Sequence, residues 1–353
     1  MPDSHTPLRI GVIGAGRLGT FHARKIKRLP NVALAGIADP VEARRLALAA
    51  ECDCPAWEDY RPLLAVCDAV VVATPASTHA GIVEECLVKG RHVFVEKPLA
   101  LSVTEGEPLV HLARQSGLVL QVGHIERFNP AFQVAVPHMR DPWLVESVRQ
   151  GPFSFRSTDI GCVLDLMIHD LDLIRAMIAA PLSEVHATGI ALLGPHEDTA
   201  QAELRFANGA TALLKTSRID RQPARWMRVW TRDAIIDIDF AARKTTVCHL
   251  GRKLLEGKLD ITRLSGTELE ELRQAFEPQY FDHRELTVSN QDPLEEELCD
   301  FAEAVRTGRP PMVTGESGLE AVALAEAVIQ SLELHRMGEP LRPRAVREWR
   351  RAA

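Results

Sequence analysis

The sequence predicts an α/β protein of two domains: a doubly wound parallel sheet over residues 1–123, and over 124–353 a second α/β domain with a large open, mostly antiparallel sheet. Three observations carry this. Residues 8–125 alternate short β-rich apolar runs with helical stretches, as parallel strands joined by helical crossovers do. From 184 onward the chain reads instead as consecutive strands separated by turn signals. A length of 353 residues with 46% hydrophobic and 25% charged side chains suits two ordinary globular domains.

The strands of the first domain are LRIGVIGAG, VALAGIAD, AVVVAT, HVFVEKP and LVLQVGH, with helices expected around 19–29, 41–51, 79–89 and 103–116. Beyond His124, residues 142–160 read as irregular and 162–180 as a buried helix. The runs EVHATGIAL, TAQAELRFANGATALLKTSR and WMRVWTRDAIIDIDFAARKTTVCHL then read as strands, with Asn208-Gly209 marking a hairpin. The polar stretch 252–290 reads as loop and edge strand, and PLEEELCDFAEAVRTG and ESGLEAVALAEAVIQSLEL as closing helices.

Charge and composition exclude several classes. A net charge of -7 argues against nucleic-acid binding, which wants a basic face. No apolar run approaches the ~20 residues needed to cross a bilayer, and the start MPDSHTPLRIGVIG carries no leader pattern. Seven cysteines without a C-x-x-C suggest reduced thiols in a cytoplasm, and no metal site.

The chemistry begins at residues 14–19, GAGRLG, a G-x-G-x-x-G placed after a strand and opening a helix. Gly14 permits the turn, Gly16 lets the backbone approach a pyrophosphate, and Gly19 permits close helix–strand packing, so these residues with Arg17 and Leu18 form a candidate phosphate site on a helix N-terminus. A glycine-rich turn in a nucleotide-free fold is the plain alternative. Asp39 ends the next strand at about the 20-residue distance expected of a ribose-binding acid. An acid there repels a 2′-phosphate, which favours NAD over NADP, with FAD behind both. In ATPASTH, Thr74, Pro75 and His79 are placed to skirt the cofactor. VEKPLA puts Glu96, Lys97 and Pro98 at the strand edge where open parallel sheets bind ligands. His124, just past the last strand of this sheet, reads either as lining the nicotinamide or as a structural histidine.

The helix 162–175, CVLDLMIHDLDLIR, sets Asp165, His169 and Asp172 among apolar residues. At about 100° per residue, offsets of four and seven bring all three to one face, a polar seam that needs partners once buried. Either the seam satisfies itself, or it faces the cofactor crevice.

GVIGAGRLGTFHA, ATPASTHAGIVEECLVKGRHVFVEKPLA and DLMIHDLD, in that order, resemble the glucose–fructose oxidoreductase / inositol dehydrogenase / MocA family, and the resemblance covers nearly the whole chain. It implies an N-terminal Rossmann domain and a C-terminal α/β domain whose open sheet supports a homo-oligomer, dimer or tetramer. It also implies catalysis by residues matching Lys97, Asp165 and His169 around NAD. His169 suits a general base that Asp165 orients, while Lys97 either takes the proton or stabilises an alkoxide.

QVGHIERFNPAF and PFSFRSTDIGCVLDLMIHDLDLIR more narrowly resemble family members that act on UDP-linked amino sugars. That implies NAD-dependent oxidation of the C3 hydroxyl of UDP-N-acetylglucosamine, the 3-keto product passing to a pyridoxal-phosphate (PLP) aminotransferase on the way to lipid A. The candidate substrate contacts are Glu126, Arg127, Asn129, Arg156 and Ser157, with Lys97, Asp165 and His169. Arg127 reads equally as a structural ion-pair partner and Arg156 as a solvated loop residue. A free sugar or cyclitol is the alternative substrate, and an NAD-binding regulator the alternative class.

Overall fold

The computed structural model describes residues 6–336. The first sheet comprises β1 (Leu8–Ile13), β2 (Val32–Ala38), β3 (Ala56–Trp57), β4 (Ala69–Val72), β5 (His92–Glu96) and β6 (Leu120–Gly123). Helices α1 (Arg17–Ile26), α2 (Glu42–Cys52), α3 (Arg61–Leu64), α4 (His79–Val88) and α5 (Val103–Gln115) intervene. All strands pair in parallel in the order β3-β2-β1-β4-β5-β6. The order reverses between β1 and β4, and ligands bind outside the strand ends at such a switch point. Every residue of β4 is buried, which is why AVVV shows no alternation.

The second domain adds α6 (Pro130–Ala135), β7 (Leu144–Gln150), α7 (Ile168–Met177), β8 (Leu182–Ala191), β9 (Thr199–Phe206), β10 (Thr211–Ser217), β11 (Ala224–Trp230), β12 (Ala234–Asp239) and β13 (Lys244–Leu250). There follow α8 (Arg252–Leu255), α9 (Gly266–Tyr280), β14 (Phe281–Leu286), α10 (Pro293–Thr307), α11 (Gly315–Ser331) and β15 (Leu332–Arg336). Nine strands form one sheet, β14-β13-β12-β11-β7-β10-β9-β8-β15, antiparallel except where β7 meets β10 and β8 meets β15. Alternate residues of β9 and β10 are buried, so one face packs against helices and the other is open. The expected Asn208-Gly209 hairpin joins them, with Gly209 at φ +88°.

Three expectations are corrected. Residues 142–160 are not irregular throughout: 144–150 form β7, a central strand of the second sheet. Its inward positions include Ser147 and Arg149, both buried, and these hide the alternation that a strand with an apolar inner face shows. The stretch 252–290 contains, besides the expected edge strand, the long helix α9, started by a reciprocal Ser265–Glu268 capping box. The helix expected from 162 opens with a π turn, Val163–Met167, before α7 begins.

The two halves interlock. Leu298, Phe301 and Ala302 of α10 belong to the same buried cluster as Ile10, Ile26 and Phe94. Lys25 of α1 bonds Asp292 at 2.8 Å and Glu295 at 3.2 Å. On α11, a Cβ at Gly318 would lie 2.4 Å from Val122, so that glycine lets the helix sit directly on β6. Among the described residues no helix is long and apolar enough to cross a membrane.

At the centre of the second sheet, buried Arg149 donates to both oxygens of Asp170 on α7 (3.0 and 2.9 Å) and to Glu126 (2.7 Å) in the 3₁₀ turn Ile125–Phe128. Removing the cation leaves two buried carboxylates unpaired. Arg149→Met is therefore expected to destabilise the protein by about 3–5 kcal/mol in urea titration, and a loss under about 1 kcal/mol would show that this clamp does not hold the fold.

Candidate active site

The glycine-rich turn is shaped by close approach. Gly14 sits at φ +100°, where a Cβ would lie 2.5 Å from the Ala73 carbonyl oxygen, and a Cβ on Gly19 would collide with the Gly14 carbonyl. Beyond Gly16 a Cβ would meet nothing within 4 Å, so that the loop opens outward there. No side chain caps α1, which leaves the amides of Arg17 and Leu18 free for an anion on the positive end of the helix. Asp39 accepts from the amides of Ala15 (2.7 Å) and Val41 (2.8 Å), fixing the loop while its remaining lone pairs can take ribose hydroxyls. This arrangement fits a dinucleotide.

Around it, Thr74 and the exposed Pro75 close the turn after β4, with the Thr78 hydroxyl bonded to both the Thr74 hydroxyl and the Pro75 carbonyl. His79 is buried and bridges the carbonyls of Pro98 (2.7 Å) and Thr74 (3.0 Å), clamping the E-K-P turn to the A-T-P turn. Burial holds its imidazole below the ordinary pKa although both carbonyls oppose this. Glu96 is likewise buried and accepts from His22 of α1 at 2.6 Å. Burial pushes its carboxyl up, but the His22 bond and nearby positive charge bring it below the usual value. Glu96 and His79 thus support the turn that presents Lys97. His22 was not among the expected site residues; its signal was a histidine one turn into the helix after G-x-G-x-x-G.

The Lys97 ammonium donates to the backbone carbonyl of Asp165 (2.5 Å) and to its carboxylate (2.9 Å). The π turn presents both acceptors, and it is itself anchored where Glu197 receives the Val163 amide through its carboxylate and the Cys162 amide through its carbonyl. His169 follows one turn later, its Nδ1 buried without a partner and its ring perpendicular to that of His124, 6.4 Å away. Burial, then the charges of Lys97 and Arg149, hold His169 well below its ordinary pKa, so the ring is neutral. His124 has both nitrogens buried without partners, and burial lowers its pKa as well.

The geometry corrects the seam. Asp165 bonds Lys97 rather than orienting His169, and Asp172 is bound through two nitrogens of Arg127 (2.7 and 3.0 Å). Glu126 and Asn129, expected to contact substrate, are buried and bonded within the protein. Glu126 spends its oxygens on Arg149 and Asn129, while Asn129 caps α6 and donates to Glu126 (2.9 Å) and to the Phe240 carbonyl (3.3 Å). Arg156 is exposed and makes no ion pair among the described residues; Ser157, at φ +49°, accepts through its carbonyl from Arg218. A buried acid also went unforeseen: Glu297 on α10 has neither oxygen paired among the described residues, and burial pushes its carboxyl well above the usual range. No signal in the polar face of that helix marks it. Among the described residues no group of three histidines, cysteines or acids is placed to hold a metal.

Residues 8–124 match the family described as an oxidoreductase family with an NAD-binding Rossmann fold, and residues 131–237 match the GFO/IDH/MocA C-terminal domain. The chain is 35% identical over 327 residues to UDP-N-acetylglucosamine 3-dehydrogenase of Acidithiobacillus ferrooxidans, covering 92% of this chain and 97% of that one. It is 29% identical over 350 residues to myo-inositol 2-dehydrogenase of Thermotoga maritima, covering 92% and 96%. A solved structure of the Acidithiobacillus enzyme matches with a TM-score of 0.80 at 33% identity, over 92% of this chain and 97% of that one.

The buried groups set the pH dependence of stability. His79, His124 and His169 resist protonation when folded but accept protons near pH 6.5 when unfolded, so stability is lost as pH falls below about 6.5. Glu297 acts with the opposite sign: its folded carboxyl keeps a proton that the unfolded chain releases, so its contribution is lost as pH rises through the raised value. Denaturation midpoints are expected to drop between pH 7 and 5.5, and Glu297→Gln to gain stability relative to wild type at pH 8. A flat acid limb, or a Gln variant that loses ground at pH 8, would contradict the assigned charge states.

Proposed function

The chain belongs to the GFO/IDH/MocA oxidoreductase family, and from that membership we propose that it oxidises the C3 hydroxyl of UDP-N-acetylglucosamine with NAD, releasing the 3-keto sugar nucleotide. One observation carries the chemistry: Lys97, fixed by Asp165 at 2.9 Å, stands beside a neutral His169 at the ligand-binding edge of the NAD-binding sheet. Whole-length similarity to UDP-N-acetylglucosamine 3-dehydrogenase supports the substrate.

Bound NAD supplies the hydride acceptor. An ammonium has three donors, and Lys97 spends two on Asp165, leaving one for the reacting oxygen. That bond stabilises negative charge as the hydroxyl loses its proton. Neutral His169, with no hydrogen bond to the described protein, accepts the proton. His22, Glu96 and His79 hold the Lys97 turn in place without touching the reactants. A ketone at C3 is the substrate form that a PLP aminotransferase consumes, which places this reaction before such a step in lipid A amino-sugar synthesis in the cytoplasm. Exposed Leu213 and Trp226 lie on the open face of the second sheet, where copies of the chain would assemble.

The test is to mix protein, NAD and UDP-N-acetylglucosamine with glutamate and a partner aminotransferase, and to follow nicotinamide absorbance and sugar-nucleotide mass. A 3-amino product is expected. Reduction of NAD by free sugars or cyclitols alone would move the substrate toward that of the inositol dehydrogenase relative, and NAD binding without any turnover would favour a regulator. Lys97→Met and His169→Ala are each expected to lower kcat on the order of 10²–10⁴-fold while NAD still binds; near wild-type turnover in both would remove the proposed site. Asp39→Ala is expected to weaken NAD at least about tenfold and to narrow the preference for NAD over NADP, read by nicotinamide fluorescence titration. An unchanged preference would take Asp39 out of the ribose site.

A further inference from the structure

Arg225 stands directly opposite Arg149 in the pairing of β11 with β7. Met227 and Val229, two and four residues on, are buried, so Arg225 points to the same inner face that carries the helices. Arg149 is tied there to Asp170, the residue next to His169. Like charges directly opposite each other in a sheet are unfavourable. Arg149 is neutralised by two carboxylates, whereas Arg225 has no ion pair or hydrogen bond from its side chain among the described residues. An exposed guanidinium beside the candidate base, with a second cation as its cross-strand neighbour, is a site for an anion from outside.

From Arg225 the chain leads back through the turn before β11 to a cavity of about 560 Å³, lined by Pro152, Phe153, Phe155, Leu193, Ile219 and Arg221 among others. Phe153 is fixed: the Arg218 guanidinium lies over its ring at 5.5 Å, and Arg218 is itself locked by Asp198 (2.7 Å) and the Ile160 carbonyl (2.8 Å). Phe155 meets Phe153 edge-on at 5.0 Å and is 85% exposed, held outward at φ +56°. Gly161 lies six positions beyond Phe155, so the cavity lies within ~20 Å of the residue that leads into the π turn presenting Asp165. A nucleoside diphosphate sugar spans such a distance, with an anion in its middle and a flat ring at its far end.

Resting on the proposed oxidation of a UDP-sugar, we propose that the nucleotide half is held along this wall, its diphosphate on Arg225 and its pyrimidine base against Phe155 in the cavity floored by Phe153. Aromatic stacking is tolerant of base identity, and a bidentate guanidinium reads phosphate geometry. The wall therefore selects a nucleoside diphosphate over a free sugar.

The test measures UDP and uridine binding to the NAD-loaded protein by calorimetry, for wild type, Arg225→Gln and Phe155→Ser, with the KM for UDP-N-acetylglucosamine and size-exclusion profiles alongside. Arg225→Gln is expected to weaken UDP at least about tenfold and to leave uridine unchanged; Phe155→Ser is expected to weaken both by roughly ten- to a hundredfold. Retained NAD affinity marks each variant as folded. Wild-type UDP affinity and KM in both variants, in an enzyme that oxidises the UDP-sugar, overturn this wall and leave the proposed function standing. A Phe155→Ser variant that changes oligomeric state while keeping UDP affinity makes the aromatic patch an interface between copies instead. A wild type that neither binds UDP nor oxidises the UDP-sugar overturns the substrate reading and this inference together.

Discussion

Everything in the site hangs from a cation buried where apolar packing would be the simpler choice. Arg149 sits at the middle of the nine-stranded sheet and binds Asp170 on one side and Glu126 on the other. Asp170 neighbours His169, and Glu126 precedes Arg127 in the 3₁₀ turn leading out of the first sheet. The one guanidinium therefore sets the position of α7 relative to the linker between the domains. Desolvating such a group is costly, and burial pushes the Asp170 carboxyl above its ordinary value even with Arg149 against it. Apolar residues of similar volume can be as stable or more so. What the ion pairs add here is direction: a leucine in place of Arg149 would tolerate rotations of α7 that a fork bonded at 2.9 and 3.0 Å does not.

The same logic extends across the boundary between the sheets. Lys97 with Asp165, Arg127 with Asp172, and His22 with Glu96 each join elements distant in sequence. These pairs sit beside an apolar core that runs without a break from the first sheet to the second domain. Among the described residues, several buried groups have no hydrogen-bond partner, including both nitrogens of His124, Oε1 of Gln121 and the carboxyl of Glu297. Low dielectric raises the cost of charge on these groups, and neutral histidines and a protonated acid result. The proposed transfer of a proton to His169 is served by that arrangement, because a neutral imidazole keeps a lone pair open to receive it.

The sequence and the structure agree where local chemistry and packing demand the same thing. The first sheet was readable since fully buried parallel strands need continuous apolar runs and the glycine turn needs its three glycines. The meeting of Lys97 with Asp165 was readable from the E-K-P and D-x-x-x-H motifs of the resemblance, and the two bond at 2.9 Å. β7 escaped because its inward face carries Ser147 and Arg149, so the period of two is present in burial and absent in polarity. The Asp165–His169–Asp172 seam failed through one inserted turn: a π turn changes the phase on which a 3.6-residue count depends. Glu126 and Asn129 look like ligand donors by residue type, yet their bonds are consumed by Arg149, α6 and Phe240, partners no linear reading places beside them.

The two arginines that face each other across β7 and β11 differ in what the fold supplies to them. Arg149 is buried, forked and balanced by carboxylates supplied by the fold, so its field is largely spent within the protein. Arg225, one strand over and exposed, meets no such carboxylate among the described residues, and its charge acts on His169. Both charges depress proton affinity at His169, but only the second can be cancelled by an arriving anion. Asp170 adjoins His169 in the chain, so the fork on Arg149 orients the helix that carries this imidazole, whereas Arg225 on the neighbouring strand holds no element of the fold in place.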